Sequence, residues 1–383
     1  MPTLLSRGFA KAKLFRAPWV FSSTQLYNTK LHTTKLCSKK LRSAPIGSSA
    51  LWLAVLGLGL LWSASAHAHT TPLLPDNPVV TQRADPWLYR DDSTGCYHFT
   101  ATVPDFSALE IRSSCRLNEL KLATPVRVWQ KKAAGPMSAN IWAPELHRIA
   151  DRWYLYFAAG DIAKPFHIRM YVLSNDHADP KQGTWREEGQ LTTHLDTFAL
   201  DATTFSHQGK RYLVWAQQDQ AQTYNSALWL AEMSSPTQIK PPVVKLSEPT
   251  LDWEVQGYKV NEGPAVLVRH GRVLISYSAS ATDHRYAMGL LWADANADLL
   301  QAASWQKSLQ PVFASNPELE RYGPGHNSFV VAEDGKTDLM LYHSRDYLEL
   351  RGTPLTDPNR HARIRPLYYD AQGFPLFFSE KGD

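Results

Sequence analysis

From about residue 80 onward, short apolar runs rich in Tyr, Trp, Val, Leu and Ile alternate with clusters of Gly, Pro, Asp and Asn. No long stretch repeats its apolar positions at helical spacing, so the pattern predicts an all-β chain. Five runs stand out as strands: residues 97–101, 153–159, 212–216, 273–278 and 339–343. Each follows a turn, written DDSTG, AD, HQGK, RHGR and EDGK in order. Ahead of each turn stands a polar anchor, at a spacing of about sixty residues. The anchors are Asp85 in RADPW, Glu145 in WAPEL, Asp201 in LDATTF, Glu262 in NEGPAV and His326 in GPGHNSF. One small antiparallel sheet per period predicts a five-bladed β-propeller, in which equivalent positions converge at the axis. Four of the five converging residues are carboxylic acids. One short helical turn is expected within residues 294–305.

The first acidic residue is Asp76, yet nine Lys and Arg precede residue 44. This basic leader runs into the apolar stretch ALWLAVLGLGLLW, followed by small residues that fit signal-peptidase cleavage after Ala66 or Ala68. The stretch is short of the roughly 20 residues that span a membrane, which favours a signal peptide over an anchor. We expect a leader over residues 1–68, a single propeller domain over 69–383, and a periplasmic or secreted product. Removing nine of the 40 basic residues while all 36 acids stay turns the formal charge from +4 to −5. No basic patch or nucleic-acid motif then remains, and no stable membrane insertion is expected after cleavage. Cys37 belongs to the leader. Cys96 and Cys115 flank the turn at residues 104–107, so a hairpin there places them face to face as a disulfide.

Carboxylates gathered at one funnel suit two kinds of chemistry. Glycoside hydrolysis needs one protonated and one ionised carboxyl, and a third can tune the first. A cation site is the competing use, since Ca²⁺ takes six to eight oxygens. Each anchor also has a plain structural use: Asp85 before Pro86 suits a turn, Asp201 suits a local cap, and His326 suits a packed core. No Ser-His-Asp elbow, P-loop or dinucleotide fingerprint is present. His67 and His69 stand beside the cleavage site with no further metal-ligand pattern around them.

ADPW, WAPEL, LDATTF, NEGPA and GPGHNS, in this order, resemble the signature segments of glycoside hydrolase family 43, whose members are five-bladed propellers. LISYSASATDHRYAMGLLWAD, YGPGHNSF and DPNRHARIRPL are similar to segments of its α-L-arabinofuranosidases, and the likeness spans roughly residues 81–374. The resemblance implies an inverting hydrolase with Asp85 as general base, Glu262 as general acid and Asp201 tuning the acid. It implies plant cell-wall polysaccharide or oligosaccharide as substrate. It also implies a cation, commonly calcium, near His326 on the axis, and otherwise no cofactor. Sugar-binding candidates are Trp142 at the mouth, Glu145 holding the mouth by hydrogen bonds, and Arg345 in YHSRD, with Trp87 and Phe106 behind them. Two alternatives remain open: β-xylosidase or endo-arabinanase action on the same fold, and a sugar-binding propeller without activity.

Overall fold

The computed structural model describes residues 74–378. The expected leader, with Cys37 and His67, lies outside them, as does His69. The described chain forms five antiparallel sheets in a five-bladed propeller. Blade 1 comprises β1 (Ala84–Asp91), β2 (Cys96–Thr102), β3 (Ala108–Ser114) and β4 (Val126–Gln130). Blade 2 comprises β5 (Pro136–Ile149), β6 (Arg152–Asp161), β7 (Lys164–Asn175) and β8 (Arg186–Gln190). Blade 3 comprises β9 (Ala199–His207), β10 (Lys210–Gln217), β11 (Ala227–Ser235) and β12 (Gln238–Ser247). Blade 4 comprises β13 (Asn261–Arg269), β14 (Arg272–Ala279), β15 (Ala287–Asp294) and β16 (Gln306–Lys307). Blade 5 has β17 (Tyr322–Val331), β18 (Asp338–Arg345) and β19 (His361–Pro366), and a small hairpin of β20 (Tyr368–Tyr369) and β21 (Pro375–Leu376) follows.

The apolar runs are the second strands of the blades, and their continuity has a physical cause. Each second strand is covered on both faces by neighbouring blades, so both alternating sets of side chains are buried. In β6, Trp153, Leu155 and Phe157 pack toward blade 1 with Leu109 and Ile111. Tyr154 and Tyr156, on the opposite face, pack toward blade 3 with Leu213 and Trp215. Three further apolar clusters join blades 3 and 4, 4 and 5, and 5 and 1. Each fully buried large side chain in them contributes about 1.5–3 kcal/mol. The outer strands β8 and β12 carry charged and exposed residues, as sheet edges do.

Ring closure uses the segment ahead of β1. The Val79 N–H donates to the Ala362 carbonyl at 2.8 Å, and the Ala362 N–H donates to Val80 at 2.9 Å. Asn77 continues this edge: its Nδ2 donates to Ile364 O and its Oδ1 accepts the Ile364 N–H, both at 2.8 Å. The chain entering blade 1 is thereby stitched onto blade 5. Cys96 and Cys115 form the expected disulfide, closing a hairpin in which Tyr97 faces Ser114. The helical turn expected within residues 294–305 is reduced to Ala302–Ser304.

The first strands β1, β5, β9, β13 and β17 touch one another around the axis. The anchors lie within these first strands, ahead of the turns and the apolar second strands as expected.

Candidate active site

Every axial strand breaks its ladder at an equivalent place, and β5 and β17 carry further irregularities. The register skips Asp85 and Pro86, Ala143 and Pro144, Asp201 and Ala202, Gly263 and Pro264, and His326 and Asn327. The first residue of each pair has a left-handed backbone: φ is 55° at Asp85, 46° at Ala143, 56° at Asp201, 55° at Gly263 and 43° at His326. A bulge of this kind re-aims one side chain and frees one N–H from the ladder. The equivalent positions are therefore Asp85, Ala143, Asp201, Gly263 and His326. Glu145 lies two residues past its bulge and Glu262 one residue before, so only two of the five equivalent residues are acids. In blade 4 the position is glycine, where a Cβ would stand in tight contact 3.1 Å from the His326 ring.

Four of the five freed N–H groups are taken up by the preceding blade. The Asp85 N–H donates to His343 Nδ1 at 3.0 Å, the Ala143 N–H to Thr102 Oγ1 at 2.8 Å, and the His326 N–H to Ser278 Oγ at 2.8 Å. The Gly263 N–H donates to Asp201 Oδ2 at 2.9 Å. The centre is thus locked by cross-blade hydrogen bonds.

Asp85, Asp201, Glu262 and His326 line one cavity of about 360 Å³, together with Arg360 and an apolar wall that includes Trp142, Phe166 and Tyr258. Asp85 is nearly buried, and burial alone would raise its pKa. His326 and the Arg360 guanidinium 3.3 Å away act against that. The Thr102 hydroxyl, donating at 2.6 Å, adds to them, and together they hold Asp85 at about 2. His343 itself is neutral. Its Nδ1 accepts a backbone N–H, and burial with the Arg360 charge drives its pKa well below the usual value. The 3.5 Å approach of that nitrogen to Asp85 is therefore no ion pair. Burial raises Glu262 to about 7, with the Asp85 charge adding to the rise and a hydrogen bond from Tyr286 opposing it. Burial and the charges of Glu262 and Asp85 also push Asp201 well up. The cavity holds one firmly ionised carboxylate and a pair of carboxyls that retains a proton near neutral pH.

The other expected residues divide. Trp142 forms cavity wall, backed edge-on by Phe106 at 5.8 Å. Glu145 stands outside the lining. Its Oε2 meets His147 Nε2 at 2.9 Å. Burial raises the Glu145 pKa and lowers that of His147 to about 3, so the proton stays on the carboxyl. Trp87 packs on His147 and donates to Leu146 O, also away from the cavity. Arg345 is buried beneath the floor, donating from Nη1 to the carbonyl of Thr282, a lining residue. His326 Nδ1 stands 3.4 Å from Asp85 Oδ1 and 4.0 Å from Asp201 Oδ2. Among the described residues no three His, Cys, Asp or Glu side chains converge as metal ligands. One imidazole nitrogen turned toward two aspartates does not fit a protein-built calcium cage.

The sequence reading missed Thr102, Tyr286, His343 and Arg360. Tyr286 and Arg360 lie inside segments that carried the family likeness, DHRYAMGLLWAD and DPNRHARIRPL. Nothing in their local pattern separates them from ordinary strand or loop residues.

Carboxyls with separated pKa values in one cavity fit acid–base hydrolysis of a glycosidic bond. Relatives agree with that chemistry. The extracellular exo-α-(1→5)-L-arabinofuranosidase of Streptomyces avermitilis is 47% identical over 85% of this chain and 69% of its own. The enzyme of the same name from Streptomyces chartreusis is 49% identical over 76% of this chain and 88% of its own. The crystal structure of α-L-arabinofuranosidase from Lactobacillus brevis superposes with a TM-score of 0.76 at 49% identity, covering 79% of this chain and 95% of that one. The model of glycosyl hydrolases family 43 matches residues 75–375, and the chain belongs to that family.

Proposed function

We propose that this protein is an exported, inverting α-L-arabinofuranosidase that removes terminal arabinofuranosyl residues from plant cell-wall polysaccharide or its oligosaccharides. The observation that carries the reading is the split of carboxyl pKa values in one cavity, about 2 at Asp85 and about 7 at Glu262. The relatives' activity selects the sugar, and their extracellular naming supports removal of a leader over residues 1–68. β-Xylosidase and endo-arabinanase action find no support among the relatives at 43–49% identity, which are named arabinofuranosidases. A sugar-binding propeller would have no use for a carboxyl pair kept protonated beside an ionised carboxylate.

In this mechanism Asp85 accepts a proton from the attacking water, while Glu262 gives its proton to the departing glycosidic oxygen. Inversion requires the two carboxyls to stand about 6.5–9.5 Å apart, leaving room for the water. Thr102 and Arg360 keep Asp85 charged and aimed. Asp201, fixed by the Gly263 N–H, interacts electrostatically with Glu262 and stands 4.0 Å from His326 Nδ1. Each proton transfer is worth roughly 10²–10⁴ in rate. Trp142 offers a ring face to the sugar's C–H groups.

The test is NMR of the sugar released from an arabinofuranosyl oligosaccharide, followed from the first seconds. Arabinose appearing as the β anomer is expected. The α anomer would replace this mechanism with a covalent one, in which a carboxylate attacks the anomeric carbon, and overturn the roles given to Asp85 and Glu262.

A further inference from the structure

Tyr286 opens the loop end of β15 and is almost wholly buried. Its hydroxyl donates to Glu262 Oε1 at 2.9 Å. Its ring lies flat against the His343 ring, with centroids 5.7 Å apart and planes within 8°. His343 in turn accepts the backbone N–H of Asp85. A single column of two rings therefore runs from the backbone of one reacting residue to the carboxyl of the other. The slot for this column is built by glycine. A Cβ at Gly325 would overlap the Tyr286 ring and crowd Ser278 Oγ, and Gly325 pairs directly with His343 in the blade 5 ladder. Ser278 closes the frame, hydrogen-bonding the Tyr286 hydroxyl and accepting the His326 N–H.

We propose that Tyr286, stacked on His343 in the slot left by Gly325, is a positioning residue that sets the reach between Glu262 and Asp85 and tunes the proton on Glu262. The proposal rests on Glu262 being the acid. An inverting site works only within a narrow carboxyl separation, and both ends of that separation are tied to this column. The phenol donates to the carboxylate form of Glu262, so it eases loss of the proton. The other charged and titratable groups facing Glu262 are Asp85 on β1, Asp201 on β9, His326 on β17, and Arg360 ahead of β19. None of them donates a hydrogen bond to Glu262, and Tyr286 is the group whose hydrogen bond lowers its pKa.

The experiment is the pH dependence of kcat and kcat/KM on an arabinofuranosyl oligosaccharide, whose sugar leaving group needs protonation. In Tyr286→Phe the basic limb moves up by about one pH unit, because a hydrogen bond to a charged group is lost. The kcat falls about tenfold as Glu262 loses its fixed direction, while KM stays within about twofold. Gly325→Ala, which displaces the ring without touching the hydroxyl, gives the same upward shift. A basic limb left in place in Tyr286→Phe, with activity merely scaled down, would overturn the proposal and leave Tyr286 a packing residue. Glu262→Gln separates the two layers of the argument. It abolishes the basic limb if Glu262 is the acid, and a limb that survives in it overturns the acid assignment and this proposal together.

Discussion

Blades 1 and 2 carry the same backbone device and put it to different uses. In each, a bulge turns one axial residue into the left-handed region and a proline follows it. Blade 1 places Asp85 on the bulge, against Arg360 and Thr102, and the carboxyl stays ionised at about 2. Blade 2 places Ala143 there, and its carboxyl, Glu145, lies two residues on against a neutral imidazole, pushed up by burial. Both carboxyls are buried to a similar degree. Burial therefore does not decide the protonation state; the charged and donating partners do. In the proposed mechanism the first region serves chemistry and the second packing. Thr102 connects them, since its hydroxyl donates to Asp85 and accepts the Ala143 N–H.

The sharpest break of this comparison comes from the reacting carboxyls. Asp85→Asn and Glu262→Gln should each lower turnover on an arabinofuranosyl oligosaccharide by about a thousandfold or more, with the thermal transition retained. Near-native rates in either variant would end the assignment. In the unaltered protein, kcat/KM should fall above about pH 7, where Glu262 loses its proton, and persist to low pH until Asp85 is protonated.

A smaller effect is expected at the connection. Thr102→Val keeps the shape but removes the donor to Asp85, so the acid limb should move to higher pH and turnover should drop about tenfold. An acid limb that stays put would show that Arg360 alone holds the charge.

Blade 2 should answer to stability rather than rate. Glu145→Ala leaves His147 Nε2 buried without its partner and should cost about 1–3 kcal/mol in urea unfolding, with turnover near native. Glu145→Gln should be milder still, because the native carboxyl is already neutral. The sign follows from the raised pKa. The contribution of Glu145 is complete below its unfolded value, about 4.3, and declines as pH rises toward the folded value. The Gln variant should lack that decline. A large loss of turnover in either would move Glu145 into the reacting site.

Much of this arrangement is legible in the sequence. The second strands announced themselves as continuous apolar runs, since burial on both faces leaves no polar alternation. The turns carried their glycines and aspartates. Cys96 and Cys115 were paired by simple symmetry about a turn. Asp85, Asp201, Glu262, His326 and Trp142 do meet in one cavity. The repeat register was misread in blades 2 and 4, because an acid near the bulge looks like the bulge residue itself. Ala143 and Gly263 have no chemistry to draw the eye. Arg345 was read as a sugar-binding candidate and is buried under the floor, held by Thr282 and standing 3.5 Å from Asp357.

The sequence by itself determined the all-β repeat, the ring of five and the identity of the carboxyls, because periodicity and residue type are local properties. Only the tertiary structure decided which acid stays charged, which keeps its proton and which serves as packing. Those outcomes depend on partners such as Arg360, His343 and Tyr286, brought from other blades to within a few ångströms by ring closure. A pKa is fixed by what surrounds a group in space, and no spacing along the chain encodes it.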